Sequence, residues 1–232
     1  MYGNAGNLNE AIAAKLQHAA GIGLYRTEFL YLGLSRPPSE ELLYLEYQRI
    51  LRAMDGLPVT IRTADLRADK CPAFENADPE ALLITQLRAL YRAGSQGKLR
   101  ILFPMVHSAE EFRSLKEKAL SVRETLEKEG AAIGRDVPLG AMIETPEAAR
   151  DVSGIAKDAG FLSIGTNDLF RELLEKDPAL DSREVLNFLP GIARAAKENG
   201  IPSVICGELA KEPRLWPYYK EIGITAVSLQ FT

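Results

Sequence analysis

The chain has 232 residues, with 28 Lys and Arg against 32 Asp and Glu, a formal charge of −4 at neutral pH and 46% hydrophobic content. That composition describes a globular protein able to bury one barrel-sized core, read as a single domain over 1–232. Its slight acidity and the sparse clustering of its basic residues point away from a nucleic-acid reader, and no apolar run nears the roughly 18–20 residues of a membrane span. No basic-then-apolar secretory signal opens the chain, and the two cysteines, Cys71 and Cys206, lie far apart in unlike settings. The expectation is a reducing, cytoplasmic setting without a disulfide framework.

In chain order, short apolar runs alternate with longer amphipathic ones. Strands are predicted at Met1 to Asn4, Gly21 to Tyr25, Val59 to Ile61, Leu99 to Phe103, Leu139 to Ile143, Phe161 to Ile164, Ser203 to Ile205 and Ala226 to Leu229. Helical patterns fill the intervals, clearest at Ser39 to Met54, Pro79 to Ala93, Ser108 to Lys128, Pro146 to Ala159, Ser182 to Asn199 and Pro213 to Ile222. Ser39, Ser108 and Thr145 stand where N-caps belong, and Gly160 and Gly200 where helices stop. Gly3 to Gly6 and Arg36-Pro37-Pro38 read as loops.

Eight strands in βα alternation, apolar on both faces, favour a closed (β/α)8 barrel of the TIM type over an open doubly wound sheet. Charged side chains from at least five strand ends would converge in a barrel, whereas an open sheet would spread them out. The sequence gives no eighth helix after the last strand, so either the natural protein continues or a partner covers that face.

Chemistry concentrates at the strand ends. The sixth run stops abruptly in Gly165-Thr166-Asn167-Asp168, and the fifth in Glu144-Thr145-Pro146. Two neighbouring strands ending in carboxylates suit a hard divalent cation, which takes carboxylate oxygens and leaves positions open for substrate and water. Taken singly, each acid could equally be a helix cap or a first-turn residue. Two earlier strands end in Arg26 and Arg62, each followed by a threonine and then an acid, Glu28 or Asp65. Planar guanidiniums bind carboxylate and phosphate bidentately, so the set forms a cup for a metal-bound anion. The plainer reading of either arginine is an ion pair that holds a loop. Cys206 ends the seventh strand, where a thiol is either a small buried hydrophobe or a proton donor. His107 precedes a helix cap and His18 lies in an Ala-rich helix; both read as structural.

These stretches resemble the phosphoenolpyruvate-binding barrels of the PEP-utilising enzymes. The likeness is greatest to the C-terminal domain of Enzyme I-type phosphoenolpyruvate–protein phosphotransferases, and more distant to pyruvate phosphate dikinase and phosphoenolpyruvate synthase. It rests on the stretch from Gly21 to Leu30, on Ile61 to Asp65 with Asp69-Lys70, on Gly97 to Met105, on Met142 to Pro146, on Ser163 to Leu169 and on Cys206 to Ala210, all in the family's order. The resemblance implies that Arg26 and Arg62 hold the substrate phosphate and that Glu144 and Asp168 ligate Mg²⁺. It further implies that Asn167, the adjoining Thr166 and Lys70 contact substrate, and that Cys206 protonates the enolate as pyruvate forms. The implied partners are phosphoenolpyruvate and pyruvate, a phosphohistidine domain or carrier protein in sugar uptake, and a second copy in a homodimer.

Departures from the family pattern are equally definite. Arg67-Ala68 replaces a Gly-Gly pair, no Trp-Arg segment lies between Cys71 and Gln86, and a further arginine position falls on Pro178. Two missing guanidiniums, at about 1.5–3 kcal/mol each, amount to a hundredfold or more in affinity. Two other readings follow. One is a degenerate barrel that serves as a ligand-sensing or interaction module. The other is an enolate-type lyase or aldolase.

Overall fold

The computed structural model describes residues 1–65, 77–176 and 181–231. Eight strands follow one another around a closed barrel in sequence order: β1 (Tyr2–Ala5), β2 (Ile22–Tyr25), β3 (Val59–Arg62), β4 (Leu99–Phe103), β5 (Leu139–Ile143), β6 (Phe161–Gly165), β7 (Ser203–Cys206) and β8 (Ala226–Gln230). Each predicted strand is present, with bounds within one residue. The first strand runs on through Ala5, so Gly3 and Asn4 belong to it and not to a loop. Gly3 is needed there, because a Cβ would stand 2.5 Å from that of Ala14 on the covering helix.

The chain divides into two compact units. The first holds residues 2–101 and 116–137. Within it β1 pairs with β2 and β2 with β3, all parallel. Covering them are α1 (Leu8–Leu16), α2 (Glu40–Met54) and α3 (Pro79–Ala93). Asn7, Ser39 and Asp78 cap these three helices, each accepting a backbone N–H of the first turn. Leu43, Tyr47, Ile50, Leu51 and Met54 make the helical stripe of α2 that is buried with Ile22, Val59 and Ile61. Helix α1 ends at Leu16, and His18 lies beyond it at φ 61°. The expectation that His18 is inside a helix is therefore corrected: the chain turns through the left-handed region there to enter β2.

The second unit holds residues 102–115 and 138–229. Here β5, β6, β7 and β8 pair in parallel, with Ile143 opposite Ile164, Ile164 opposite Ile205, and Gly165 opposite Cys206. Helix α4 (Ala109–Lys128) begins in this unit after Ser108, whose Oγ accepts the Glu111 N–H at 3.1 Å. The predicted helix from Pro146 to Ala159 is two helices, α5 (Pro146–Arg150) and α6 (Val152–Asp158). Asp151 makes the break: its Oδ2 accepts the Ala109 N–H at 2.7 Å, so it caps α4 and leaves the helical path. α7 (Thr166–Lys176) follows β6 without a linker. Residues 182–187 are a 3-10 helix ahead of α8 (Leu189–Glu198), and 213–215 one ahead of α9 (Trp216–Ile222). Both replace the longer α-helices predicted there; Pro190 and Pro217, at the first turns of α8 and α9, lack the N–H that would carry a helix through from behind. Gly200 takes φ 66° after α8, and α6 stops at Asp158, ahead of Gly160.

Candidate active site

The sequence-predicted residues fall into two groups, one in each unit. In the first unit, Arg62 ends β3 almost fully buried, and its Nη2 lies 2.9 Å from Glu28 Oε1. The same oxygen accepts the Asp65 N–H at 3.2 Å. Thr27 donates to the Arg62 carbonyl at 2.8 Å. Gln86, buried on α3, donates to Thr27 Oγ1 at 3.1 Å and to Tyr47 Oη at 2.8 Å, and accepts the Ala64 N–H at 2.9 Å. Burial pushes the Tyr47 phenol well above its ordinary value, so it stays neutral within this network. The ends of β2 and β3 are thus pinned to α3 by satisfied polar bonds. Gln86 escaped the sequence reading, because a lone glutamine on a helical pattern carries no signal of burial.

Arg26 is half-buried, and its guanidinium lies 5.3 Å from the Phe29 ring centroid. Among the described residues nothing accepts a hydrogen bond from its buried Nε. Arg62 therefore makes the ion pair of the plainer reading, with an acid of the loop after β2, whereas Arg26 packs on the Phe29 ring of its own loop and keeps donor capacity for an anion. Lys70, like Arg67, Ala68, Cys71 and Pro178, lies outside the described residues.

The second unit gathers the rest. Glu144 follows β5 with its side chain fully buried. Its Oε1 accepts the Met105 N–H at 2.8 Å, and Met105 adopts φ 50°, a left-handed backbone that a non-glycine residue takes only under constraint. On the far side is Gly165, where a Cβ would stand 3.0 Å from Glu144 Oε2. The missing side chain at the end of β6 thus makes room for the carboxylate. Thr166, the next residue, donates to the Cys206 carbonyl at 2.8 Å. Asn167 Oδ1 accepts the Glu208 N–H at 2.7 Å, across a φ 93° turn at Gly207 whose Cβ would strike Thr166 and Asn167. Asp168 lies in the first turn of α7 and pairs with Arg171 at 2.5 Å. Cys206 is buried, and its thiol donates to the Ile164 carbonyl at 3.4 Å. His107 is exposed and bound through both its N–H and its ring to Glu111, the structural role expected of it.

Glu144, Thr166, Asn167 and Cys206 are accordingly brought to the ends of three adjacent strands by their register, with Asp168 next in sequence to Asn167. Among the described residues no group of three or more His, Cys, Asp or Glu stands ready to hold a metal. Two carboxylates are nevertheless the donor set that suits Mg²⁺, which keeps its other positions for waters and substrate oxygens. A fully buried carboxylate such as Glu144 also favours a cation beside it. The residues present fit the ion.

Comparison with known proteins identifies the family. Residues 1–76 and 73–232 match the family described as PEP-utilising enzyme, PEP-binding domain. The chain is 34% identical to a phosphoenolpyruvate-protein phosphotransferase of Staphylococcus aureus (strain MSSA476), with 99% of this chain and 45% of that protein covered. It is 36% identical to the one from Staphylococcus epidermidis, covering 92% and 42%, and 33% identical to one from Geobacillus stearothermophilus, covering 99% and 44%. The chain spans less than half the length of these relatives. Among solved structures, an HpcH/HpaI aldolase/citrate lyase family protein from Burkholderia cenocepacia shares the fold at TM-score 0.62 and 16% identity, covering 99% of this chain and 87% of that one. A citrate synthase aligns at TM-score 0.63 and 15% identity, covering 99% and 85%. With a family match along nearly its whole length and relatives above 30% identity, the chain belongs to the PEP-utilising enzymes, as their phosphoenolpyruvate-binding domain.

Proposed function

We propose that this barrel binds phosphoenolpyruvate on Mg²⁺ and carries the phosphoenolpyruvate half of a phosphotransferase reaction. The observation that carries the proposal is the buried Glu144 carboxylate, held between the Met105 N–H and the bare Cα of Gly165, one strand from Asp168. Glu144 and Asp168 would hold the ion, which when bound neutralises the ligand's anionic oxygens and polarises its enol oxygen. Arg26 and Arg62 bind the phosphoryl group, and Thr166, Asn167 and Lys70 orient the substrate. The bond from phosphorus to the enol oxygen breaks as a histidine of another domain or carrier protein takes the phosphoryl group. The resulting enolate takes the Cys206 thiol proton at C3 to give pyruvate, and water reprotonates the thiolate. The hydrogen bond from Cys206 to a carbonyl supports this role, since it fixes the orientation of a thiol that can act as a proton donor.

Cytoplasmic sugar uptake and a homodimer are the setting that the resemblance implies. Exposed Phe29, Leu32, Leu42 and Leu45 support the homodimer, which light scattering tests. A second reading, a ligand-sensing module without turnover, draws support from the Arg62–Glu28 pair, which already engages one phosphate-binding candidate.

Proton exchange separates the two readings without any phosphoryl acceptor. Incubated with Mg²⁺ in deuterated water, the chain should wash the methyl protons of pyruvate into solvent, followed by proton NMR. A rate equal to that of buffer, in protein that still binds pyruvate, favours the sensing module.

A further inference from the structure

The structure assigns Arg171 a part in anion binding that depends on the metal. In the structure its guanidinium pairs with Asp168. With the cation on that carboxylate, the guanidinium turns to the metal-bound anion. This rests on the reading of Asp168 as a metal ligand.

Three observations carry it. First, Arg171 Nη2 and Asp168 Oδ1 are 2.5 Å apart, one helical turn from each other on α7. Second, the rotation of α7 is fixed from its other side. Leu169 and Leu173 are buried against Val185 and Leu209, so positions 168 and 171 are held together on the remaining face, in the helix that opens at Thr166. Third, the Asp168 side chain is 19% exposed and that of Arg171 45% exposed, so the pair is only partly withdrawn from water. Such a pair is weak and salt-screened, and a divalent ion on the same carboxylate displaces the guanidinium by competition and by repulsion.

The displaced group stays tethered within a side chain's length of the ion. Solvent, Glu175 one turn further along α7 and exposed, and the anion on the metal then compete for it. A planar fork of N–H donors matches a carboxylate or phosphoryl group bidentately, and a ligand of multiple negative charge outcompetes a solvated glutamate. The anion is therefore the destination.

Arg171→Gln should then shift two affinities in opposite directions, which a merely structural arginine would not do. By calorimetry, Mg²⁺ alone should bind about threefold more tightly, because its competitor is gone. Phosphoenolpyruvate at saturating Mg²⁺ should bind about tenfold more weakly, the loss expected for one charge-assisted contact. Arg171→Lys, which keeps the charge without the fork, should fall between the two on the second titration. If both affinities drop together along with the thermal midpoint, Arg171 only holds the helix and the inference is overturned. Unchanged phosphoenolpyruvate affinity overturns it as well, because the guanidinium then makes no contact with the anion. Asp168→Asn tests the parent reading separately. If the unmodified chain binds phosphoenolpyruvate with Mg²⁺ and Asp168→Asn does not, that reading stands whatever Arg171 does; if the unmodified chain binds neither, both fall.

Discussion

At the scale of single residues, the Cys206 thiol and the bare Cα of Gly165 divide the chemistry from the binding. Cys206 touches the Ile164 carbonyl and is buried, yet nothing in the proposed roles asks it to hold the ligand. Cys206→Ala should therefore abolish the Mg²⁺-dependent exchange of pyruvate methyl protons while changing phosphoenolpyruvate affinity by less than about threefold, under 1 kcal/mol. Exchange that persists in the alanine variant would place the proton donor elsewhere. Gly165→Ala should do the reverse. Its methyl would sit 2.9 Å from the Glu144 Cβ and 3.0 Å from Oε2, forcing the carboxylate out of the seat that the Met105 N–H defines. Calorimetry should show Mg²⁺-supported ligand affinity reduced about tenfold or more, with the far-ultraviolet dichroism of the parent retained. Unaltered affinity would mean that Glu144 does not need that seat.

At the scale of elements, α2 and α3 are stapled by charge as well as by their apolar stripes. Glu40 takes Arg88 Nε at 2.6 Å and Arg92 Nη1 at 2.7 Å, and Arg88 continues to Glu129 at 2.8 Å. Arg92 also lies over the Tyr44 ring, 4.3 Å from its centroid. Partial burial alone would raise the Glu40 carboxyl, but the hydrogen bonds from the two arginines outweigh it and hold the group below the ordinary 4.5. A depressed folded-state value contributes stability above the ordinary value and loses it as pH falls through the folded one. Glu40→Gln should cost about 1 kcal/mol at pH 7 by denaturant titration, and the gap from the parent should close as the pH drops below about 4. A gap that is constant down to pH 3 would assign the loss to packing. On α7, Leu173→Ala should cost about 2–3 kcal/mol, since it opens a cavity against Val185 and Leu209. A loss well below 1 kcal/mol in the same titration would show that this cluster does not anchor the helix.

How much of this was legible in the sequence follows from where each signal originates. The eight strands could be read almost to the residue, because a strand buried on both faces is a short apolar run bounded by turn residues. Caps at Ser39, Ser108 and Thr145 could be read because they are local. What could not be read depends on contacts distant in sequence. Asp151 splits α5 from α6 only because the Ala109 N–H, 42 residues away, claims its carboxylate. Gln86 looks like any surface glutamine until the ends of β2 and β3 arrive beside it. The strand-end acids and arginines were legible from residue type and position, but the Arg62–Glu28 pair, the left-handed Met105 and the Arg171–Asp168 pair were not. Periodicity says nothing about which oxygen a guanidinium will choose.

At the scale of the whole molecule, the chain supplies a phosphoenolpyruvate-binding domain and corresponds to less than half of the phosphotransferases it resembles. No helix among the described residues is long and apolar enough to cross a membrane. Binding is thus the property to test in this chain, since transfer needs an acceptor that the resemblance places in another domain. The most direct test is calorimetric titration of phosphoenolpyruvate into the chain with and without Mg²⁺, repeated on Glu144→Gln. Binding should be saturable, require the ion and weaken by at least about tenfold when Glu144 is neutralised. Binding of equal strength without Mg²⁺, or a Glu144→Gln variant indistinguishable from the parent, would contradict the proposed function.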